Sequence, residues 1–430
     1  MFKYNKSEAL LARAEKVIPL GTQTFSKSRT QFPLGSSPYY ISRGEGSHVW
    51  DVDDNEYIDF ISSLNAITLG YSDSDVLTAV TEMAGVGSIF SLPHEIEIEV
   101  AEAIVDIVPC AEMVRFGKNG SDATAGAVRA ARAFTGRDYI AICGYHGWQD
   151  WYIGSTTKHK GVPNSTRRLS LTFEYNNLQS LDKLFKDNPD KIAAVIMEPM
   201  HDVYPEAGFL ESVKELAHNN SAVLIFDEMI TGFRFANGGA QEFFGVLPDL
   251  ATFGKGLANG YPISAVAGRA DIMKEFEEIF FSFTFGGELI SLAAAKATLD
   301  KYRKEPVIET LALTGGLIKD GLKRLISKHE ASSFMDVSGH PSWSAIKING
   351  YGNYDEWEIK TYFLQEMFAR GILTYGSHNM NYAHSEADSE NILAAYDQVL
   401  PLISSAIIEN CLGDKLNCDP LRPLFGVRSP

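Results

Sequence analysis

The chain carries the stretch DLATFGKGLANGYPISAVAG at residues 249–268. Its two ends, DLATF (249–253) and ISAVA (263–267), are short apolar segments of the kind that form strands covered on both faces. Between them lies Lys255, which is flanked by glycines and is the only charged residue of the stretch after Asp249. A lysine held in an apolar site has a lowered pKa and becomes a nucleophilic amine that can form a Schiff base. We therefore interpret Lys255 as a functional residue rather than a solvated surface charge.

Similar apolar segments alternate with helical patterns on the N-terminal side of this stretch. This alternation predicts a mostly parallel α/β sheet. The further strand candidates are MVRF (113–116), YIAIC (139–143), IAAVIM (192–197) and AVLIF (222–226). Ligands of such sheets bind beyond the carboxyl ends of the strands, so the residues that follow each strand are the candidates for function.

The pattern changes on either side of the predicted sheet, and these changes indicate domain boundaries. Residues 1–60 contain a predicted helix over 7–17 and a hairpin in HVWDVDDNEYIDF (48–60), with its turn at Asp53, Asp54 and Asn55. Beyond residue 300, amphipathic helices precede weaker strands around SAIKI and ILTYG. We predict a large domain over 61–300, joined to a smaller α+β domain that combines residues 1–60 with residues 301–430.

Gly120 and Ser121 follow the segment MVRF and open an alanine-rich helical pattern, GKNGSDATAGAVRAARAF (117–134). The start of a helix offers unpaired backbone N–H groups and the positive end of the helix dipole, which together can bind an anion. The alternative interpretation is an ordinary helix cap in a tight turn. The segment is not a Walker A loop, because no Gly-Lys-Ser/Thr closes it.

Asp227 directly follows the apolar segment AVLIF. A carboxylate is costly to bury there unless a cation or a donor faces it, and a helix cap or a salt bridge to Arg234 is the structural alternative. The segment YIAIC is followed by GYHGW (144–148), whose rings would serve either as core or as a stacking platform. A lysine, a buried carboxylate and an anion site together meet the needs of pyridoxal 5′-phosphate (PLP), namely those of its aldehyde, its ring nitrogen and its phosphate.

Four motifs extend this interpretation to a family. The segments GYHGW, FDEMITGFR (226–234), PDLATFGKGLANGYPISAVAG (248–268) and FTFGGE (283–288) resemble the class III, fold type I, PLP-dependent aminotransferases. Within them, the nearest branch is similar to glutamate-1-semialdehyde 2,1-aminomutase, over about residues 8 to 400. The resemblance implies a mostly parallel seven-stranded sheet sandwiched by helices, with a smaller α+β domain built from both ends of the chain.

The resemblance also implies roles for individual residues. Lys255 would carry the Schiff base with PLP and then move the proton between the substrate carbon and the cofactor. Asp227 would hold the pyridine nitrogen, while Tyr145 would stack on one ring face and Met229 would pack on the other.

The implied phosphate site involves two copies of the chain. Gly120 and Ser121 match the phosphate loop of the family, and Thr284 matches a threonine that reaches the phosphate from the neighbouring subunit. A homodimer with shared active sites is therefore expected. Lys27 and His146 are the candidate substrate contacts.

Three departures from the aminomutase branch concern the substrate. In LGTQTFSK (20–27), Lys27 stands where that branch has an arginine for the substrate carboxylate. The segment SHNMNYAHS (377–385) lacks the glutamate-bearing insertion of that branch, and Glu288 and Leu289 stand where the family usually shows Asn-Pro. Lysine is a less exacting carboxylate partner than the forked guanidinium of arginine.

These departures favour an aminotransferase that works by ping-pong chemistry on two small molecules. Glutamate is the candidate amino donor, and an aldehyde or keto sugar derivative for cell-surface glycan synthesis is the candidate acceptor. The alternative is the aminomutase itself, in which both transfers occur within one molecule. A binding protein that only keeps the pocket would not need Lys255, Asp227 and Tyr145 together, and a cofactor-free lysine aldolase leaves Asp227 unexplained.

Composition excludes several other classes. The chain has 430 residues, with 38 basic and 55 acidic side chains and a net charge of −17, which disfavours nucleic acid and anionic membranes as partners. Its four cysteines have no metal-ligand spacing, so no metal site is expected and a reducing compartment is indicated. The N-terminus has no apolar segment of signal-peptide length, and the apolar runs are too short for a membrane span. We expect a cytoplasmic enzyme.

Overall fold

The computed structural model describes residues 2–422, which divide into two compact units. One unit spans Ser74–Ile308, and the other contains the described residues up to Asp73 and from Glu309 onward. The smaller domain expected from both ends of the chain thus corresponds to a unit of discontinuous sequence. The domain boundaries at residues 60 and 300 stay predictions.

The strands of the described residues are short, most of them three to six residues long. In chain order they are Ile41–Glu45 (β1), His48–Asp51 (β2), Glu56–Asp59 (β3), Met113–Gly117 (β4), Tyr139–Cys143 (β5), Ser170–Thr172 (β6), Ile192–Met197 (β7), Val223–Asp227 (β8), Leu250–Phe253 (β9), Ser264–Gly268 (β10), Met335–His340 (β11), Trp343–Ile348 (β12), Ile372–Leu373 (β13) and Ser377–Asn379 (β14).

The longer helices of the described residues have ten residues or more. They are Asn5–Ala14 (α1), Ser74–Val86 (α2), Glu95–Ile107 (α3), Gly120–Thr135 (α4), Leu178–Asp187 (α5), Phe209–Asn219 (α6), Leu289–Lys304 (α7), Val307–Lys328 (α8), Glu356–Phe368 (α9) and Glu386–Ile408 (α10). Helix α1 was predicted over 7–17 but ends at Ala14. The next residues form turns, in which the carbonyl oxygens of Arg13 and Ala14 accept hydrogen bonds from backbone N–H groups of residues 16–18.

The unit Ser74–Ile308 is built on a sheet whose described strands number seven, in the order β4-β10-β9-β8-β7-β5-β6. Strand β10 runs antiparallel to both of its neighbours, β4 and β9, and the other neighbouring strands are parallel. The strand candidates of the sequence analysis all lie in this sheet, and the mostly parallel seven-stranded sheet is confirmed.

Alternate residues of the central strands face opposite layers of helices. On β8, Val223 and Ile225 pack in one core cluster, while Leu224 and Phe226 pack in the other. The first cluster includes the small residues of α4 and the second includes the apolar faces of α5 and α6. Burial on both faces explains why these strands read as continuous apolar runs.

The other unit contains two small sheets, ordered β1-β2-β3-β13 and β11-β12-β14. The predicted hairpin is formed by β2 and β3, and Oδ1 of Asp51 accepts hydrogen bonds from the backbone N–H groups of Asp53 and Asn55 at 2.9 Å each. Directly after β3, residues Ser62–Asn65 form a left-handed turn in which every φ lies between 45° and 68°. This conformation is costly for residues other than glycine.

Helix α10 requires a correction to the expectation that no segment could span a membrane. Among the described residues, α10 passes the test for a membrane span, which asks only whether a helix is long enough and apolar enough to cross a membrane. Its apolar residues Ile392, Tyr396, Val399 and Ile403 are buried within the unit. A core helix of a globular unit passes the same test, so α10 is weak support for a membrane span.

Candidate active site

Five chain segments meet at the carboxyl edge of the large sheet, because β4, β5, β7, β8 and β9 run in the same direction. The segments that leave these strands carry Gly120, Tyr145, Glu198, Asp227 and Lys255. The sequence analysis singled out four of these five residues. Glu198, directly after β7, is the one that it missed.

Lys255 begins a short 3-10 turn directly after Gly254, which follows β9. Its φ is +42°, a conformation that costs a lysine free energy and that proteins retain mainly at functional sites. Burial lowers the pKa of the amine from its ordinary value of 10.5, and Arg234 acts in the same direction. The carboxylates Glu198 and Asp227 oppose this shift. The site therefore holds a partly buried amine that loses its proton at lower pH than an ordinary lysine.

Asp227 ends β8 and is almost completely buried. Its Oδ2 lies 2.7 Å from Nδ1 of His146, and its Oδ1 accepts hydrogen bonds from the N–H of Met229 at 3.1 Å and the hydroxyl of Thr252 at 3.2 Å. Nε2 of His146 lies 3.1 Å from the carbonyl oxygen of Cys143. Both ring nitrogens of His146 therefore have a partner within the protein, and the imidazole lies within hydrogen-bond distance of the Asp227 carboxylate.

His146 was predicted as a substrate contact, and its placement corrects that expectation. It is buried, both of its ring nitrogens are bonded within the protein, and its ring stacks on Trp151 at 6.2 Å between centroids. We propose that His146 supports Asp227 instead. Asp227 is thus paired with His146, and not with Arg234, which was the partner expected if Asp227 formed a salt bridge.

Gly120 and Ser121 begin α4, as predicted. Asn119 and Asp122 form a capping box at this helix start. The hydroxyl of Ser121 accepts a hydrogen bond from the N–H of Trp148 at 3.2 Å, and a Cβ at Gly147 would lie only 2.2 Å from that hydroxyl oxygen. The aromatic segment after β5 is thus packed directly on Ser121, in the predicted phosphate site.

Met229 joins three parts of the site. A Cβ at Gly120 or at Gly254 would lie 2.8 Å from its Sδ atom. The glycines beside the phosphate turn and beside Lys255 therefore leave room for Met229, which follows Asp227 by two residues. This packing brings together the three segments that the sequence assigned to phosphate, ring nitrogen and Schiff base.

Tyr145 is 49% exposed, and its ring contacts the buried Tyr152 edge to face at 5.5 Å. Burial of part of its surface raises the pKa of its hydroxyl, with Asp227 and Glu198 adding to the effect. The stacking role that the resemblance implied for this ring stays a prediction.

Glu198 is buried, and its Oε2 accepts a hydrogen bond from the N–H of Tyr145 at 2.9 Å. Burial raises the pKa of its carboxyl, with His201 opposing the shift and Asp227 adding to it. A Cβ at Gly144 would lie 2.5 Å from Oε2, so the segment that carries Tyr145 and His146 rests on this side chain.

The acid beside Asp227 has a different environment. The Glu228 carboxylate is fully buried and accepts hydrogen bonds from the hydroxyl of Thr231, the N–H of Ala240 and both the backbone and side-chain nitrogens of Gln241. All four donors lie within 3.1 Å. Glu228 thus stabilises the segment after β8 and is not part of the cofactor set.

Thr284 and Lys27 are the two remaining predicted residues. Thr284 is exposed, in a turn that precedes α7. Lys27 belongs to the other unit, where its Nζ lies 3.5 Å from the hydroxyl oxygen of Ser63 in the left-handed turn. Their roles toward phosphate and substrate stay predictions. Within residues 2–422, no group of three or more His, Cys, Asp or Glu side chains is arranged to hold a metal ion.

The site fits the needs of PLP. A partly buried amine, a buried carboxylate bonded to an imidazole and the N-terminus of a long helix lie at one sheet edge. The glycine positions beside Met229 leave no room for a Cβ, so the segments that carry Gly120, Met229 and Lys255 approach one another closely.

Comparison with known proteins identifies the family. A sequence model of the class III aminotransferases matches residues 32–384, so the chain belongs to this family. It is a PLP-dependent class III aminotransferase with the fold type I architecture. The resemblance found in the sequence motifs is thereby confirmed.

Individual relatives are similar over almost their whole length. The chain is 35% identical to glutamate-1-semialdehyde 2,1-aminomutases of Syntrophomonas wolfei and Ruminiclostridium cellulolyticum, over 92% of this chain and 97% of each relative. Among solved structures, the PLP internal aldimine form of the FumI protein of Sphingopyxis sp. MTA144 has a TM-score of 0.87 and 30% identity. That match covers 97% of this chain and 99% of the other.

The lowered pKa of Lys255 leads to a measurable pH dependence. In cofactor-free protein, the Lys255 amine should react with an acylating reagent at lower pH than Lys183, an exposed lysine whose pKa is raised by its hydrogen bond to Asp187. Peptide-resolved mass spectrometry across a pH series measures both midpoints. A midpoint for Lys255 at or above that of Lys183 would contradict the prediction.

The lowered pKa of Lys255 also predicts how the free energy of unfolding changes with pH. The unfolded chain keeps the Lys255 proton up to the ordinary value of 10.5, whereas the folded state releases it at lower pH. Stability of the cofactor-free protein should therefore rise with pH between the folded-state pKa and 10.5. Lys255→Met should remove this part of the rise.

Proposed function

We propose that this class III enzyme moves an amino group between two separate small molecules by ping-pong chemistry, with Lys255 and Asp227 as its catalytic residues. The observation that carries the proposal is the placement of the strained, partly buried Lys255 amine at the same sheet edge as the buried Asp227–His146 pair. A protein that only bound a ligand would not need a lysine at positive φ with a lowered pKa.

The chain's own residues have distinct tasks in this proposal. When bound, PLP supplies an aldehyde for amines and a ring that withdraws electrons. Lys255 would hold the cofactor through Nζ and, once released, would accept a proton from the substrate carbon and return it. Asp227 would hold the ring nitrogen, and its contact with Nδ1 of His146 would keep the carboxylate in place.

The phosphate end of the site supports a homodimer with shared active sites. Gly120 and Ser121 would bind phosphate at the N-terminus of α4. Thr284 would reach the phosphate of a second copy, in keeping with its exposed turn. The neighbouring Phe280 and Phe285 are 82% and 58% exposed, and large apolar side chains on a surface favour burial against a partner. We place the enzyme in the cytoplasm, in keeping with its free cysteines, two of which are buried.

The substrate proposal rests on Lys27. A single ammonium beside the hydroxyl of Ser63 suits a hydroxyl-rich or phosphorylated acceptor as well as a carboxylate. We propose glutamate as the amino donor and an aldehyde or keto sugar derivative for cell-surface glycan synthesis as the acceptor. The second candidate function is glutamate-1-semialdehyde 2,1-aminomutase activity, which the names of the 35% identical relatives favour.

A half-reaction screen tests the proposed function. Purified enzyme is mixed with single amines, including glutamate, and the loss of the absorbance of the lysine-bound cofactor is recorded together with the keto product. Keto-sugar derivatives are then added to the bleached enzyme. We expect one donor to bleach the enzyme, with one keto product per active site, and an acceptor to restore the absorbance. The Lys255→Ala variant is the matched control.

The same screen separates the two candidate functions. An aminotransferase needs both an external donor and an external acceptor for steady turnover, whereas the aminomutase needs neither. Turnover of glutamate 1-semialdehyde alone, at a rate above that of any donor and acceptor pair, would contradict the transferase proposal and support the second candidate.

A further inference from the structure

A second charged pair lies beside the proposed phosphate turn and has no role in the proposed chemistry. Nζ of Lys118 lies 2.9 Å from Oε2 of Glu288, and the two side chains are only 16% and 18% exposed. Glu288 is one of the positions at which the chain departs from the family motif. An ion pair that is largely removed from water is costly to break, because the remaining charge is left without a partner.

Both ends of this ion pair are fixed by helix caps. Glu288 caps α7 and accepts hydrogen bonds from the N–H groups of Ile290 at 2.8 Å and Ser291 at 3.1 Å. Burial raises the pKa of its carboxyl, but the hydrogen bonds from Ser291 and Lys118 outweigh burial and hold the pKa below its ordinary value. Glu288 is therefore a carboxylate with a defined orientation.

The backbone around Lys118 is equally well held. The N–H of Lys118 donates to Oδ2 of Asp122 at 3.1 Å, within the capping box of α4. The hydroxyl of Ser264 donates to the carbonyl oxygen of Asn119 at 2.7 Å. The segment 118–121, which we call the phosphate turn, is thus a rigid base for the ion pair.

The segment on the Glu288 side of the ion pair is more exposed than the phosphate turn. Residues 283–287, which we call the threonine loop, contain Thr284 and end directly before Glu288. Phe283, Thr284 and Phe285 are exposed. A Cβ at Gly287 would lie 2.7 Å from the carboxyl group of Glu97, so the loop also rests on the first turn of α3. The ion pair connects this loop to the phosphate turn.

We propose that the Lys118–Glu288 ion pair fixes the threonine loop to the phosphate turn of its own chain, so that Thr284 is held in position for the phosphate of the second copy, and thereby sets the affinity for the phosphate group of PLP. Lys118 and Glu288 are positioning residues, because they act through Thr284. The pairing also neutralises the charge of the Lys118 ammonium. This inference rests on the proposed phosphate roles of Gly120, Ser121 and Thr284.

A double-mutant cycle tests this role. Cofactor-free dimers of the wild type and of Lys118→Met, Thr284→Val and the double variant are titrated with PLP, and binding is followed by absorbance. We expect each single variant to raise the Kd for PLP about tenfold, which corresponds to about 1.4 kcal/mol. If Lys118 acts through Thr284, the double variant should bind PLP no more weakly than the weaker single variant.

Two further variants separate positioning from general stability. Lys118→Arg keeps a cation opposite Glu288 and should restore most of the affinity. Lys296→Met removes a comparable ion pair, between Lys296 and Asp300 of α7, in which the two side chains are 33% and 30% exposed. This variant should leave the Kd for PLP unchanged. The unfolding temperature of each cofactor-free variant is measured in parallel.

The outcomes are distinct. A Lys118→Met variant with a lowered unfolding temperature but an unchanged Kd for PLP would overturn the positioning role and leave the proposed function intact. The positioning role would also be overturned if the increase in Kd for PLP in the double variant equalled the product of the increases in Lys118→Met and Thr284→Val. An unchanged Kd in Thr284→Val would overturn the phosphate role of Thr284 in the proposed function itself, and this inference with it.

Discussion

Replacement of Lys255 with alanine should lower kcat by at least about 10⁴-fold, the upper range for loss of a positioned acid-base group. The variant loses both the amine that would hold PLP and the group that would carry the proton at the substrate carbon. Because burial lowers the pKa of Lys255, a larger fraction of its amine is unprotonated near neutral pH than in an exposed lysine, and the unprotonated amine is the form that acts as base and nucleophile. The effect should therefore appear in kcat rather than only in cofactor content.

Steady-state and single-turnover kinetics with excess PLP measure this loss. Lys255→Arg is the matched control: it keeps the positive charge in the same strained loop, but its guanidinium does not give up its proton. Both variants should be inactive, and a small exogenous amine should partly restore activity to the alanine variant alone. An alanine variant that retained more than about a tenth of wild-type kcat, well outside the expected loss, would contradict the role of Lys255.

Asp227→Asn should lower kcat by about 10²–10³-fold, or about 2.7–4 kcal/mol of barrier, the range reported for removing one preorganised electrostatic group. The asparagine side chain can still accept from the N–H of Met229 and the hydroxyl of Thr252, so the fold of the site is kept. The negative charge that lies against Nδ1 of His146 is lost, however. PLP content should remain near that of the wild type.

The adjacent acid provides the control for this prediction. Glu228→Gln disturbs a buried carboxylate with four hydrogen-bond donors, so it should lower the free energy of unfolding by about 1–3 kcal/mol. Its kcat per folded site should stay near the wild-type value. A fully active Asp227→Asn variant, or equal losses of kcat in the two variants, would show that Asp227 has no special electrostatic role.

The sequence predicted the central strands well because burial on both faces leaves a simple signature. The strand β6, Ser170–Thr172, was not among the candidates, since it has only three residues and two of them are polar. The family resemblance, not the pattern, supplied the seventh strand. Residues Ser62–Asn65 were also not predicted, because a left-handed turn of non-glycine residues depends on tertiary contacts that no local pattern records.

The candidate site shows the same division. Lys255 and Asp227 could be singled out because Lys255 is the only charge between two apolar segments and Asp227 directly follows one. Glu198 follows the apolar strand β7 in the same way, so the signal that identified Asp227 could have found it. The partner of Asp227 could not be predicted, because His146 lies 81 residues away along the chain whereas Arg234 is close in sequence.

The most direct test of this account is to locate the covalent attachment of PLP. Purified enzyme is reduced with borohydride, which fixes the bond between cofactor and lysine, and the digested protein is mapped by mass spectrometry. We predict one phosphopyridoxyl group per chain, on the peptide that contains Lys255. A label on another lysine, such as Lys118 or Lys27, or a protein that binds no PLP, would contradict it.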